Sequence, residues 1–264
     1  MALKNIDRRE TLRDRTPPWS FDQLHLSDVA VSLRELTPLN ALLVLVCLNV
    51  VQFMMSMGIA RLFNAFITRD VLFSQDELAI SSPRFSEIVM TVLNNSLVAF
   101  AGWGLWRAGW ITIDLTSEFG RIVADVLALF FVMDALMYIS HRLAHTPLLY
   151  RWIHAKHHRA ERTRPIDLFY LSQVEVWGYG GLWISLLVVY ESSIEGILVY
   201  LALNILFGTI GHLGYALPMP RSSALAWLGS HLGGSKFHAE HHRSERCNYG
   251  FYTLFWDRLF KTLK

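Results

Sequence analysis

IVADVLALFFVMDALMYISHRLAH, residues 122–145, is an apolar run that ends in two histidines. Its apolar part is close to the roughly 20 residues that an α-helix needs to cross the hydrocarbon core of a bilayer. His141 and His145 are four residues apart, so a helix places both on one face. The stretch therefore predicts a membrane-embedded helix that brings two imidazoles together at its end.

The composition indicates that this helix has neighbours of the same kind. Hydrophobic residues make up 53% of the chain and charged residues only 17%, with a mean hydropathy of +0.31; soluble domains average about 25% charged residues. Five apolar segments are long enough to enter or cross a bilayer. They are 40–60, 88–106, 122–140, 168–190 and 194–217. Buried helices of a soluble protein are the alternative, which five such segments in one chain disfavour.

These segments predict an all-α fold, since only helices and closed barrels satisfy the hydrogen bonds of the backbone inside lipid. We expect an integral membrane bundle of about four to five membrane-embedded helices, with a cytoplasmic cap of histidine-rich helices. Residues 1–120 would hold the N-terminal segment and the first membrane helices, and 121–264 the catalytic domain. The net charge of +2 gives no indication of a nucleic-acid partner.

Charge predicts which side of the membrane the histidines face. Six Lys or Arg against one acid lie in 141–165, and seven against three lie in 221–264. Because cytoplasmic loops are enriched in Lys and Arg, both segments are predicted to be cytoplasmic. Three full crossings before His141 would then place the N-terminus outside, although it is basic. Its arginines are Arg8, Arg9, Arg13 and Arg15. A re-entrant or interfacial early segment would remove this conflict.

Two further clusters, HAKHH (154–158) and HAEHH (238–242), resemble each other in spacing. Spacings of three and four residues place all three imidazoles of a cluster on one helix face. Imidazole binds zinc, iron, copper and nickel, whereas a structural zinc site closes with four ligands that usually include cysteine. Eight clustered histidines are too many for one metal ion and predict two. They are His141, His145, His154, His157, His158, His238, His241 and His242.

Polar side chains upstream of the histidines are candidates for orienting the imidazoles. Asp134 lies two helical turns before His141 on the same face, with Tyr138 between them. Asn204 has a similar relation to His212, a lone histidine at the end of the fifth apolar segment. Because ionisable residues inside membrane segments are costly and usually functional, Asp134 is the strongest of these candidates.

Three longer stretches resemble a known family. DALMYISHRLAH (134–145) resembles its Asp-x3-Tyr-x2-His-Arg pattern, and NILFGTIGHLGYALP (204–218) resembles a segment that supplies a further histidine ligand. HAEHHRSERCNYGFYTLFWDRLFKT (238–262) resembles its terminal motif. The family is the fatty acid hydroxylase/sterol desaturase superfamily of membrane diiron enzymes. The resemblance extends from Asp125 to the end of the chain.

This resemblance implies an oxygen-dependent oxidoreductase. It implies His212 as a ninth metal ligand, two iron ions in a non-haem site, and O2 as co-substrate. The implied reaction hydroxylates or desaturates a C–H bond of a fatty acyl, sterol or related lipid that arrives from the bilayer. A separate electron-donor protein is implied as well. Beyond the metal site, no catalytic residue is predicted.

Two possible ligand positions depart from the family pattern. Phe237 stands where many members have a histidine just before the last cluster. Gly208 stands where members with ten ligands would supply the tenth. The departures leave the metal site intact and leave a tenth ligand without an obvious source.

Two other functions stay open on the residues alone. A membrane zinc hydrolase would use the same ligands without oxygen. A haem-binding or metal-handling protein would not be an enzyme. Haem needs axial ligands on its two faces, which histidine triplets on one helix face do not supply.

Overall fold

Long apolar helices form most of the structure. The structure is a computed structural model, and it describes residues 25–66, 70–71, 85–217 and 224–264. The helices are α1 (Leu26–Arg34), α2 (Pro38–Phe66), α3 (Phe85–Arg107), α4 (Phe119–Ala144), α5 (Tyr150–Ile153), α6 (Gln173–Val189), α7 (Ile194–Gly211), α8 (Ala224–Gly229), α9 (Ser235–Ser244) and α10 (Phe255–Leu259). Two short 3-10 helices between α5 and α6 are His157–Arg159 and Pro165–Phe169. The two-residue strands are β1 (Asp70–Val71), β2 (Ile113–Asp114), β3 (Ser192–Ser193) and β4 (Tyr215–Ala216). β1 pairs antiparallel with β4, and β2 pairs parallel with β3. The all-α prediction is confirmed.

All five predicted apolar segments are helical, with shifted bounds. Within the described residues, α2, α3, α4 and α7 are long and apolar enough to cross a membrane, and α6 is a shorter apolar helix. α6 begins only at Gln173 because Ser172 caps it, its side chain accepting from the backbone N–H of Glu175 at 3.1 Å. α7 ends at Gly211, and the chain after it turns into β4.

Apolar side chains cover the outer surface of α2. Almost none of its most apolar stretch is buried. Leu43, Val50 and Met54 are 55%, 45% and 62% exposed. A contiguous apolar surface of this kind requires a cover, and the four helices of membrane-spanning length identify the cover as a bilayer. The chain is an integral membrane protein.

The apolar helices run alternately up and down, so that one end of the bundle carries the histidines. Ser56 in the second half of α2 and Thr209 near the end of α7 have their hydroxyl oxygens 2.7 Å apart. Glu87, at the start of α3, lies 3.8 Å from Lys156 in the second cluster. Together with the end of α4 and the start of α6, these ends form the histidine end of the bundle.

The N-terminal helix α1 lies at the opposite end. Trp103, near the end of α3, donates through Nε1 to the carbonyl of Leu33 at 2.9 Å. α2 and α3 are continuous helices of 29 and 23 residues, each long and apolar enough to cross a membrane. The basic N-terminal residues Arg8, Arg9, Arg13 and Arg15 lie outside the described residues.

Side chains of α4, α6 and α7 form the core beneath the histidines. The buried members are Leu129, Met133, Leu186, Ile197, Tyr200 and Tyr252. Tyr252 comes from the C-terminal segment and stacks on Phe130 of α4 with ring centroids 4.7 Å apart. This contact anchors the segment that follows the third cluster against α4.

Candidate metal centre

The first histidine pair lies at the end of α4. His141 is in the last turn, and His145 follows the last helical residue, its N–H donating to the carbonyl of His141 at 3.2 Å. The two rings therefore stay on one face, with centroids 5.1 Å apart. Both the helix and the shared face agree with the sequence prediction.

The second cluster does not lie on one helix, and that prediction is wrong. α5 ends before His154, and His157 begins a separate 3-10 helix. The turn between them widens because His154 and Ala155 both donate to the carbonyl of Tyr150, at 2.9 and 2.8 Å. The rings of the adjacent residues His157 and His158 are nearly perpendicular, with an interplanar angle of 89°.

The third cluster lies on α9, as predicted. The helix ends at Ser244, and the next residue, Glu245, adopts a left-handed conformation (φ 54°) and donates its N–H to the carbonyl of His241. His238 and His242 share one face, with their Nε2 atoms 3.1 Å apart. His241 projects from a neighbouring face, and its Nε2 lies 3.1 Å from that of His158.

The nine candidate histidines form two adjacent groups. In each group, one nitrogen per residue lies within 4.8 Å of the others. The five-histidine group is His141, His145, His154, His158 and His241. The four-histidine group is His157, His212, His238 and His242. In each HxxHH cluster the first and last histidines stay together, and the middle one joins the other group.

Backbone carbonyls orient several of the rings. The Nδ1 of His141 lies 2.8 Å from the carbonyl of Tyr249, and the Nδ1 of His241 lies 2.7 Å from that of Cys247. His212 makes the same bond within α7, to Gly208 at 2.8 Å. A ring that donates its proton from Nδ1 has a lone pair on Nε2, which is then available to bind a metal ion. The loop after α9 therefore sets the tautomer and direction of two ligands.

Glu175 is a side-chain acceptor in direct contact with a candidate ligand, and sequence reasoning missed it. Its Oε1 lies 2.6 Å from the Nδ1 of His154, and the residue is 2% exposed. A carboxylate behind a metal-binding imidazole fixes the ring and raises its basicity. A usable signal was present, since Glu175 is the one charged residue in the apolar segment 168–190.

Burial keeps the imidazoles neutral, the form that binds metal. Desolvation lowers the pKa of His145 to about 3 and holds the pKa of His238 well below its usual range. The ring nitrogens face one another, with His141 Nε2 2.9 Å from His154 Nε2. Among the described residues, His145 Nε2 has no hydrogen-bond partner. Two cations would satisfy these converging lone pairs, so the residues fit two metal ions.

The three residues predicted to orient imidazoles make other contacts. Asp134 accepts from the backbone N–H groups of Tyr252 and Thr253, at 3.1 and 3.0 Å, and from the Thr253 hydroxyl. Asn204 accepts from the Tyr252 hydroxyl at 2.7 Å. Tyr138 lies 3.0 Å from the Thr262 hydroxyl. In the described residues these bonds fix the C-terminal segment, which in turn carries the carbonyl that orients His141.

The two possible ligand positions that depart from the family pattern are Gly208 and Phe237, and the structure shows what surrounds each. A Cβ at Gly208 would lie 3.0 Å from Leu168 and 3.4 Å from Phe251, so a larger side chain there would require these neighbours to shift. Phe237 lies beside the four-histidine group, next to His238. The tenth ligand has no source at either position.

The fold and the site define a class of protein: membrane-embedded helical bundles that gather histidines at one end in two metal-binding groups. The sequence profile of the fatty acid hydroxylase family matches residues 126–262, more than half of the 264 residues. The chain belongs to the fatty acid hydroxylase family.

Curated relatives agree with this assignment. The chain is similar to a cholesterol 25-hydroxylase-like protein of Danio rerio, 29% identical over 153 residues that cover 54% of this chain and 57% of that protein. It is 25% identical over 154 residues to the C-4 methylsterol oxidase erg25 of Schizosaccharomyces pombe, covering 54% and 48%. It is 28% identical over 146 residues to the very-long-chain aldehyde decarbonylase GL1-8 of Oryza sativa subsp. indica, covering 54% and 53%. The chain spans about half the length of these relatives. No solved structure gives a significant match.

Proposed function

We propose that the protein is a membrane diiron oxygenase that hydroxylates, or desaturates, a C–H bond of a lipid. The observation that carries the proposal is the division of nine buried or half-buried histidines into adjacent groups of five and four. Family membership supports it, as do two relatives named for a sterol hydroxylase and a sterol oxidase. Hydroxylation would consume O2, two electrons and two protons, and yield the hydroxylated lipid and water.

The residues of the site hold and orient the reacting centre. Two irons, when bound, supply the oxygen chemistry that no protein side chain provides. The nine imidazoles hold them, and the carbonyls of Tyr249, Cys247 and Gly208 keep three rings in place. Glu175 fixes His154 in the same way. Burial of the histidines excludes water that would otherwise compete with the lipid.

The proposal includes an orientation and two partners. The excess of Lys and Arg in 141–165 and 221–264 favours a histidine end that faces the cytoplasm. A separate electron-donor protein would reach the site from that side. The lipid would reach it from the bilayer that surrounds the helices. The catalytic domain in this proposal is 121–264.

Oxygen incorporation tests the function directly. The protein would be purified in detergent, loaded anaerobically with ferrous iron, and reduced in the presence of membrane lipids and 18O2. We expect lipids that gain one 18O atom, or lose two hydrogens, in the iron-loaded protein alone. Tightly bound zinc with no O2 consumption after iron loading would contradict the proposal and favour a hydrolase.

The haem-binding alternative receives no support from the geometry. The rings of His141 and His154 have centroids 4.7 Å apart, and those of His158 and His242 are 4.5 Å apart. A porphyrin does not fit between rings that already touch. An absorption spectrum of the purified protein would therefore lack a Soret band.

A further inference from the structure

His158, a member of the five-histidine group, has an outer ring nitrogen that lacks a hydrogen-bond acceptor. Its Nε2 faces inward, 3.1 Å from the Nε2 of His241. Its Nδ1 therefore points away from the group, and it is buried without a hydrogen-bond partner among the described residues. The Nδ1 atoms of His141, His154 and His241 have acceptors at 2.8, 2.6 and 2.7 Å. An imidazole that binds metal through Nε2 carries its proton on Nδ1 and is stabilised by an acceptor there.

The carboxylate of Glu245 lies beside this nitrogen. Its Oε1 is 3.7 Å from the Nδ1 of His158, which exceeds a hydrogen bond by about 1 Å. The side chain of His158 is 1% exposed, whereas that of Glu245 is 44% exposed. A rotation of the exposed glutamate side chain can therefore close the gap while the buried imidazole stays in place.

Tyr150 holds the Glu245 carboxylate in this position. Its hydroxyl donates to Glu245 Oε1 at 2.7 Å, and its ring centroid lies 5.9 Å from that of His158. The carbonyl of Tyr150 also accepts from the N–H groups of His154 and Ala155, where α5 ends. The same residue therefore contributes to the break in the second cluster and places a carboxylate beside the last histidine of that cluster.

The backbone of Glu245 points to a role for its side chain. The left-handed φ of 54° at the position after α9 favours glycine, because a Cβ there costs free energy. The N–H of Glu245 donates to the carbonyl of His241 at 2.7 Å, a bond that glycine would make equally well. Backbone strain of this kind is typical of residues whose side chains act at a functional site.

We propose that Glu245 is a positioning residue for His158, and that its carboxylate accepts the Nδ1–H of that ring when a metal ion binds at Nε2. The bound cation makes the Nδ1–H a stronger donor, which draws the carboxylate closer. Glu245 and Glu175 would act on the same ion, because His158 and His154 belong to the same group. The proposal rests on the metal centre of the proposed function and is independent of its oxygen chemistry.

Metal affinity tests the role of Glu245. The full chain in detergent would be loaded anaerobically with ferrous iron, and the iron would be removed by titration with a chelator. Glu245→Ala should weaken the binding of one ion per chain about 10–100-fold, the usual effect of removing an acceptor behind a ligand imidazole. The other ion should bind as in the wild type. Glu245→Gln retains an oxygen acceptor and should recover part of the loss.

Glu245→Gly separates positioning from folding. Glycine relaxes the left-handed backbone that alanine strains, so metal-free Glu245→Gly should unfold at a higher temperature than metal-free Glu245→Ala. Both variants should nevertheless lose the same affinity, because both lack the carboxylate.

The matched control is Glu240→Ala. Glu240 is another carboxylate of α9, but it pairs with Arg243 at 3.0 Å and with Lys264 at 2.9 Å. This variant should bind both ions as the wild type does.

Mössbauer spectra of the iron-loaded protein identify the affected ion. Two irons with different ligand sets should give two quadrupole doublets. Glu245→Ala and Glu175→Ala should alter the same doublet and leave the other unchanged, and Glu240→Ala should alter neither.

Three results would overturn the proposal. They are an unchanged affinity in Glu245→Ala, an affinity that follows the unfolding temperature across the three Glu245 variants, and a change in the doublet that Glu175→Ala leaves unaltered. The outcome is distinguishable from that of the proposed function. A weakened ion without oxygen incorporation in the wild type would refute the oxygenase alone, and oxygen incorporation with unchanged affinity in Glu245→Ala would refute the role of Glu245 alone.

Discussion

At the scale of single residues, the candidate ligands separate from other histidines by burial and by neighbours. His157 and His241 are 4% and 0% exposed and belong to different groups. His25 is exposed at the start of α1, at the other end of the bundle. The type and spacing of the residues predicted eight of the nine candidate ligands, and the family resemblance supplied His212.

Replacing one ligand in either group should release metal. We expect His157→Ala and His241→Ala each to abolish activity and to reduce bound metal, because a missing imidazole leaves a group with fewer ligands than its ion requires. His25→Ala should change neither. Elemental analysis of the three purified variants checks this, and equal metal loss in all of them would refute the assignment.

Glu175 should act through His154. Glu175→Ala is expected to weaken metal binding by about 10–100-fold, the usual effect of removing the acceptor behind a ligand imidazole. Glu175→Gln retains an oxygen acceptor and should recover part of the affinity. Competition with a chelator measures this. Glu35→Ala, at the exposed end of α1, is the control, and an affinity in Glu175→Ala equal to that of the control would exclude the role.

At the scale of elements, the apolar segments were predictable because their lengths and composition match the bilayer. The break between His154 and His157 was not predictable, because the HxxHH spacing is equally compatible with a continuous helix. The widened turn at Tyr150 depends on tertiary packing. The roles of Asp134 and Asn204 were not predictable either. Helical spacing places a residue on a face, but it does not reveal that Tyr252 and Thr253 pack against that face.

Asp134 is expected to support stability more than ligand chemistry. Asp134→Ala leaves two buried backbone N–H groups without their acceptor, and each such group costs roughly 1–3 kcal/mol. We predict a lower midpoint of thermal unfolding in detergent. Asp28→Ala, exposed in α1, should leave the midpoint unchanged. An unchanged midpoint in Asp134→Ala would show that these bonds contribute little.

At the scale of the whole molecule, the five apolar helices run between one end that carries α1 and another that carries the histidines. The shortest of them is α6, with 17 residues. The sequence predicted the helices but left the direction of the early ones open. Packing of Trp103 on Leu33 assigns α1 to the far end. The division at 120/121 into two domains stays a prediction.

The two ends should face opposite sides of the membrane. In a background with Cys47→Ser and Cys247→Ser, we would introduce Ser32→Cys in α1 or Ser230→Cys after α8, both at exposed positions. A membrane-impermeant maleimide applied to intact cells should label position 32 and not position 230. Labelling of both positions from the same side would contradict five crossings.

Metal stoichiometry tests the central claim most directly, because the two histidine groups require two ions. The wild-type protein, purified without added chelator and loaded with ferrous iron, would be examined by elemental analysis and X-ray absorption. The account predicts two iron ions per chain with nitrogen and oxygen ligands and no sulfur. A single ion per chain, or sulfur in the coordination shell, would contradict it.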